Sequence, residues 1–355
     1  KLTRALDKLP GYHTSEMSNV QAFGEVAMIK PGHPPQIGKG TAGLIYIDDF
    51  EGTRANIDLR FPLVSWGLAS TPQKNGLFPE GILPDSLAYG LNRAKIAWYN
   101  IEPNLQDAKG NNNPVSGLGL NYFGDPYIRA VNQQEIYPTK TPDFGQAQLV
   151  TFDLSFNPTE RGPYNFDVNP TAFSDGVATD GKLLNPRKRW GGIMRGIDQI
   201  DFETGNVEFI EFWMLDPFLK KPGSNGGQFY INLGNISEDI LKDGRRQFEN
   251  GLPGADGKAP LDATSKWGQV PANPIQVTTA FSNDPADRPT QDVGFDGLTN
   301  DAEKVKFQNF LNQLSAKVGT SSPAYQKAEF DPSSDDFKYY RDGSYDKINA
   351  DIITR

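Results

Sequence analysis

Apolar residues crowd both sides of the stretch Gly205–Phe218 (GNVEFIEFWMLDPF). In an extended chain Val207, Phe209, Trp213 and Leu215 point one way, and Ile210, Phe212 and Met214 the other. Glu208 and Glu211 interrupt one face each, while Gly205-Asn206 and Asp216-Pro217 stop the run. The pattern predicts a central strand covered on both faces. Gly227–Leu233 (GQFYINL), after the turn-rich KKPGSNGG, is its expected hairpin partner. Further strands are predicted over Ala22–Ile29, Thr41–Asp49, Arg93–Ile101, Gln146–Phe156 and Arg189–Arg195, with Gly191-Gly192 marking a bulge or a close backbone approach. A short helical turn capped by Ser237 is expected over Ile236–Leu241. Helical spacing is clear in one place: Phe307, Phe310, Leu311, Leu314 and Val318 fall on one face of Asp301–Val318, and Gly319 is the expected terminator.

These elements predict a mainly β protein, an antiparallel jelly-roll-like β-sandwich with long Gly/Pro-rich loops and one C-terminal amphipathic helix. Residues 1–40 read as a connecting segment with a short strand, and 41–249 as the sandwich. Residues 250–291 read as a long exposed loop, and 292–355 as an acidic loop, the helix and a polar-aromatic tail packed on the sandwich. Composition agrees with many turns: the 355 residues include 36 glycines and 27 prolines. The net charge of −9, with acidic residues scattered and no basic stripe, argues against nucleic acid as a partner. The basic cluster Arg187-Lys188-Arg189 reads as a solvated strand entrance. Cysteine is absent, which excludes disulfides and thiolate metal sites. The chain has no initiator Met, no signal-peptide pattern and no apolar run long enough to span a bilayer as a helix, so it is expected to be part of a longer protein.

Two acidic stretches are candidates for Ca²⁺. Asp292–Glu303 (DVGFDGLTNDAE) follows the spacing of a calcium-binding EF-hand loop at Asp292, Asp296, Gly297 and Glu303, with Leu298 placed to offer its carbonyl. Gly294 stands where a third side-chain ligand belongs, and DPADRPTQ upstream cannot form an incoming helix. The competing reading is an acidic turn whose Asp301 and Glu303 suit a helix N-terminus. Asp48, Asp49 and Glu51 end the strand Thr41–Asp49, as a solvated strand end or a second cation site. Catalytic patterns are missing: His13 and His33 are the two histidines, and there is no HExxH, no G-x-S-x-G and no phosphate-binding Gly loop. The chain is therefore expected to be no enzyme. Of the five tryptophans, Trp66 and Trp267 lie in irregular segments and are the candidates for an exposed contact surface.

Several phrases, in order, resemble one family. They are EVAMIKPGHPPQIG (25–38), IYIDDFEGT (45–53), ERGPYN (160–165), RWGGIMR (189–195), NVEFIEFWMLDPF (206–218), INLGNISEDILKDGRRQFENGLP (231–253), DVGFDGLT (292–299) and FDPSSDDFKYYR (330–341). Together they resemble the giant outer-membrane translocon proteins (SprA/Sov family) of the Bacteroidetes type IX secretion system. The resemblance implies a very large β-barrel that conducts folded cargo across the outer membrane. This chain would be an internal soluble portion of its cap or vestibule, with the extracellular side favoured over the periplasmic. Implied partners are the rest of the barrel, secretion components at its lateral opening and periplasmic mouth, and the secreted cargo. The family transfers no catalytic residue. The alternative is a stand-alone carbohydrate-binding jelly-roll module at the cell surface.

Overall fold

In the computed structural model the strands pair two by two. The structure describes residues 56–73, 76–106, 122–142, 147–205, 207–245, 261–263, 265–272 and 293–336, with a few isolated positions before residue 30. Among them, β1 (Trp66–Leu68) pairs with β6 (Ile193–Arg195), and β2 (Ala94–Tyr99) with β5 (Asp153–Arg161). β3 (Val131–Asn132) pairs with β4 (Gln148–Leu149), and β7 (Leu261–Ala263) with β8 (Gln269–Pro271), all antiparallel. A one-turn helix α1 (Gln133–Ile136) follows β3, and α2 (Asn300–Lys306), α3 (Gln308–Val318) and α4 (Pro323–Phe330) follow β8. The chain divides into two units. The first, Lys1–Asn56 with Gly205–Val207, lies almost wholly outside the described residues, and the second holds everything below.

The longest ladder, β2–β5, sits where alternation predicted a strand, with Ile96 opposite Phe156 and Trp98 opposite Leu154. Gly191 crosses this pair closely: a Cβ there would come within 2.8 Å of the Phe156 ring. After β5 the chain enters the core as irregular backbone, Gly162–Val168. A Cβ at Gly162 would come within 2.5 Å of the Ala94 carbonyl oxygen, so the entry requires glycine. Tyr164, Phe166 and Val168 are buried, and Phe166 meets Phe307 at 4.2 Å, Phe310 at 5.3 Å and Trp267 at 6.0 Å between ring centroids.

Asn165 and Asp167, between those aromatic and aliphatic residues, are buried as well. Irregular backbone inside a core leaves amides and carbonyls that no ladder satisfies, so side chains must do it. Asn165 Nδ2 donates to the carbonyls of Leu91 (3.0 Å) and Arg93 (2.6 Å), and Asn165 Oδ1 accepts from the Asp167 amide. Asp167 pairs with Arg189 at 2.6 Å, both side chains being buried. Arg189 also donates to the carbonyls of Leu91, Leu184 and Gly176. Arg189 is thus a core residue and not part of a solvated strand entrance. Three basic residues in a row are usually hydrated, but here only Arg187 and Lys188 are.

The expected C-terminal helix is two helices meeting at Phe307, whose backbone (φ −102°, ψ 24°) leaves the helical region while its ring is buried against Phe166. Phe310, Leu311 and Leu314 are buried as the spacing predicted, and Gly319, at φ 81°, ends α3. α4 follows, capped by Ser322 with Pro323 at its first turn.

Other expectations are corrected. Glu208–Leu215 belongs to no helix or ladder, and its large apolar residues are open to solvent, Phe209 to 74% and Trp213 to 72%. Gln228–Leu233 is also unladdered and exposed, and Phe212 touches Phe229 at 5.8 Å between ring centroids. With no strand beside either segment, apolar faces alone do not make a sheet, and no two-sheet sandwich forms among the described residues. Part of the expected exposed loop is structured: β7 and β8 lie within 250–291, and Trp267 between them is fully buried. Ile236–Leu241 forms no helix; Ser237 Oγ accepts from the Asp239 amide in a turn that delivers Ile240 and Leu241 to the core. The strands expected over Thr41–Asp49 and most of Ala22–Ile29 lie outside the described residues.

Arg189→Ala should destabilise the protein by about 3–5 kcal/mol, because it strands Asp167 in the core. The urea midpoint measures this, and a loss under about 1 kcal/mol, the scale of an exposed pair, would contradict the assignment.

Candidate metal centre

Three carboxylates converge from three separate segments. Asp296 stands on the turn Val293–Gly297, closed by the Gly297 amide on the Val293 carbonyl at 2.9 Å. Gly294 and Gly297 both have positive φ (51° and 68°), which glycine adopts without strain. Glu303 lies in the first turn of α2, whose cap is Thr299. Asp301, two residues earlier, is exposed and bound to Lys304, as suits a helix N-terminus, whereas Glu303 turns inward and is fully buried. Asp335 comes from the segment Asp331–Asp336 after α4. One carboxylate oxygen from each of Asp296, Glu303 and Asp335 lies within 4.8 Å of the other two, and Asp331, Asp335 and Asp336 form a second group of the same kind.

Ser333 ties the segments together. Its hydroxyl donates to Asp296 Oδ2 at 2.6 Å, its amide donates to Glu303 Oε2 at 3.0 Å, and its carbonyl accepts from the Tyr164 amide at 2.7 Å. Asp296 Oδ1 accepts from the Leu298 amide at 3.0 Å. Two carboxylate oxygens, Glu303 Oε1 and Asp335 Oδ2, are buried without a hydrogen-bond donor. Among the described residues the positive charges at this corner are Arg161, which donates to the carbonyls of Asn165, Pro332 and Asp331, and Lys327. Five carboxylates therefore face two cations.

Burial and mutual repulsion act in the same direction on these acids. Burial, and then the charge of Asp335, push Asp296 well above the ordinary carboxylate range. Burial, then Glu303 and Asp331, do the same to Asp335. Glu303 is pushed up to about 8 by burial and by Asp296. Desolvation and like charge thus oppose full ionisation of the three acids, and protons or a cation would relieve it.

The structure places Asp296 and Glu303 beside each other and adds Asp335, which the spacing could not show. Gly294 gains a reason: the space its side chain would fill is occupied by the Asp335 carboxylate and the Tyr164 hydroxyl. Asp335, from the tail, thus stands beside the loop position that lacks a side chain. Leu298 contributes its amide to Asp296. Asp292, Asp48, Asp49 and Glu51 lie outside the described residues, as do His13 and His33. Trp66 is half-buried, its Nε1 donating to the Leu59 carbonyl at 2.8 Å and its ring under the Arg195 guanidinium. Trp267 is a core residue, edge-on to Tyr164 at 6.2 Å, and offers no exposed contact surface. A scan of protein-family models and a search of curated proteins find no match to this chain.

In chelator, stability should fall as pH rises from about 4.5 to about 8. Over that window the folded state holds the Glu303 proton that the unfolded chain releases. Glu303→Gln should flatten the slope. Urea midpoints measured across this range check it, and a wild-type midpoint that rises with pH would contradict it.

Proposed function

We propose that this chain is a non-catalytic structural and interaction portion of an outer-membrane protein-secretion translocon of the type IX kind, contributing to its soluble cap or vestibule. The observation that carries the reading is the pair of strand-length segments, Glu208–Leu215 and Gln228–Leu233, which are apolar, exposed and outside any helix or ladder. Exposed apolar strands with unpaired backbone groups are costly and aggregation-prone, so they call for a neighbouring strand to complete them. Partners that add strands to such an edge supply main-chain hydrogen bonds and pockets for alternate side chains. In this reading the neighbours are other β-elements of the translocon, and the layered sheets expected from the apolar pattern are completed by them. The ordered phrases of the sequence that resemble the SprA/Sov family support the same assignment. Two of them, ERGPYN and RWGGIMR, supply the buried residues Asn165 and Arg189 of the core. The described residues contain no helix long and apolar enough to cross a membrane.

An antibody raised against residues 293–336 tests the reading on fractionated host cells. It should detect a band far larger than this chain in the outer-membrane fraction. A soluble band of this chain's own size would overturn the proposal. In the full protein, Phe209→Ser with Trp213→Ser should leave the melting of the isolated chain within a few degrees, because both side chains are exposed. The same change should reduce cargo export, and unchanged export from a stably inserted variant would remove these segments from the interface.

A further inference from the structure

The acidic corner does more than strain the fold, and the geometry points to a bound divalent cation: we infer that Asp296, Glu303 and Asp335 together bind Ca²⁺. Acidic side chains often cluster at surfaces without an ion, so clustering alone decides nothing. What singles out this group is that Glu303 is fully buried with Oε1 lacking any donor, and that its carboxylate offers an oxygen within 4.8 Å of a carboxylate oxygen from each of the other two acids. Its other oxygen is held by the Ser333 amide, so the carboxylate is fixed and one acceptor is left for the centre of the group. A buried acceptor without a partner costs free energy that an ion at that point would return.

Charge and donor type select the ion. Five carboxylates (Asp296, Glu303, Asp331, Asp335, Asp336) against Arg161 and Lys327 leave a surplus that a divalent cation would reduce. The donors are hard oxygens throughout, which suit Ca²⁺ or Mg²⁺ rather than a metal seeking nitrogen or sulfur. Mg²⁺ keeps several waters in a strict octahedron, whereas Ca²⁺ accepts a flexible set of protein oxygens, including a carboxylate that offers both of its own. A buried corner built from three segments fits the second ion. The consequence is mechanical. The ion would join the turn at Val293–Gly297, the start of α2 and the segment beyond α4, so it would clamp the C-terminal helices onto the core.

Terbium luminescence, excited through Tyr164 and Trp267 and competed with Ca²⁺, tests the inference on chelator-treated protein near pH 8, alongside melting in Ca²⁺, Mg²⁺ and EDTA. We expect saturable terbium emission displaced by Ca²⁺, and a melting temperature that rises with Ca²⁺ concentration. Glu303→Gln and Asp335→Asn should each weaken Ca²⁺ binding at least tenfold while melting no lower than wild type in EDTA, since each removes a buried repulsion. That separates loss of the site from loss of the fold. Asp301→Asn, exposed in the same helical turn, should bind as wild type does. Identical wild-type melting in Ca²⁺ and EDTA, or an undiminished Ca²⁺ response in folded Glu303→Gln, overturns the site. A response to Mg²⁺ without one to Ca²⁺ overturns the choice of ion.

Discussion

Everything in the described core depends on how one irregular stretch, Gly162–Val168, keeps its backbone satisfied. The stretch carries Tyr164, Phe166 and Val168 into contact with Trp267 and the helices, so it cannot be moved to the surface. Because it belongs to no ladder, its backbone finds scattered partners: the Gly162 amide donates to the Arg93 carbonyl, and the Val168 carbonyl accepts from the Val177 amide. The side chain of Asn165 answers the Asp167 amide and the carbonyls of Leu91 and Arg93, the first of which Arg189 also reaches. Arg93 shows the cost of this solution. It is fully buried with carbonyl partners and the Trp190 ring, and burial pulls its guanidinium down to about 10. A core assembled in this way specifies one geometry strongly, since a half-satisfied polar network is worse than an apolar one.

The same stretch positions the acidic corner. The Tyr164 amide holds the Ser333 carbonyl, the Tyr164 hydroxyl accepts from the Phe295 amide at 2.6 Å, and Arg161, just before Gly162, reaches the carbonyls of Asp331 and Pro332. The three carboxylates are therefore hung on the core's own scaffold and not on a free loop. That is why the C-terminal helices and the core would respond together to whatever neutralises the corner.

Local signals in the sequence were legible where one short element decides the outcome. Ala94, Ile96 and Trp98 alternate and form β2; Phe307, Phe310, Leu311 and Leu314 recur at helical spacing and are buried; Gly319 ends the helix. The loop spacing singles out Asp296 and Glu303. What it could not show was Asp335, more than thirty residues on, because only the chain path through α3 and α4 returns it to the turn. α4 itself escaped notice because Ala324, Tyr325 and Ala328 make a weak apolar stripe. The polar neighbours of Trp267 predict an exposed loop, yet Trp267 is fully buried and lies between the paired strands β7 and β8. The widest departure concerns Glu208–Leu215, where apolar faces predicted a covered strand. Such a pattern states that a segment needs cover, not that the cover lies in the same chain.

Hydrogen exchange on the isolated chain tests most directly whether Glu208–Leu215 lacks its cover. Amides in β5 and at Tyr164 and Asp167, which are hydrogen-bonded in the core, should exchange slowly, whereas those of Glu208–Leu215 and Gln228–Leu233 should exchange within seconds, as unpaired exposed backbone does. Slow exchange of Glu208–Leu215 in the isolated chain, matching β5, would mean that the segment already lies within a completed sheet. Glu208–Leu215 would then need no strand from a partner.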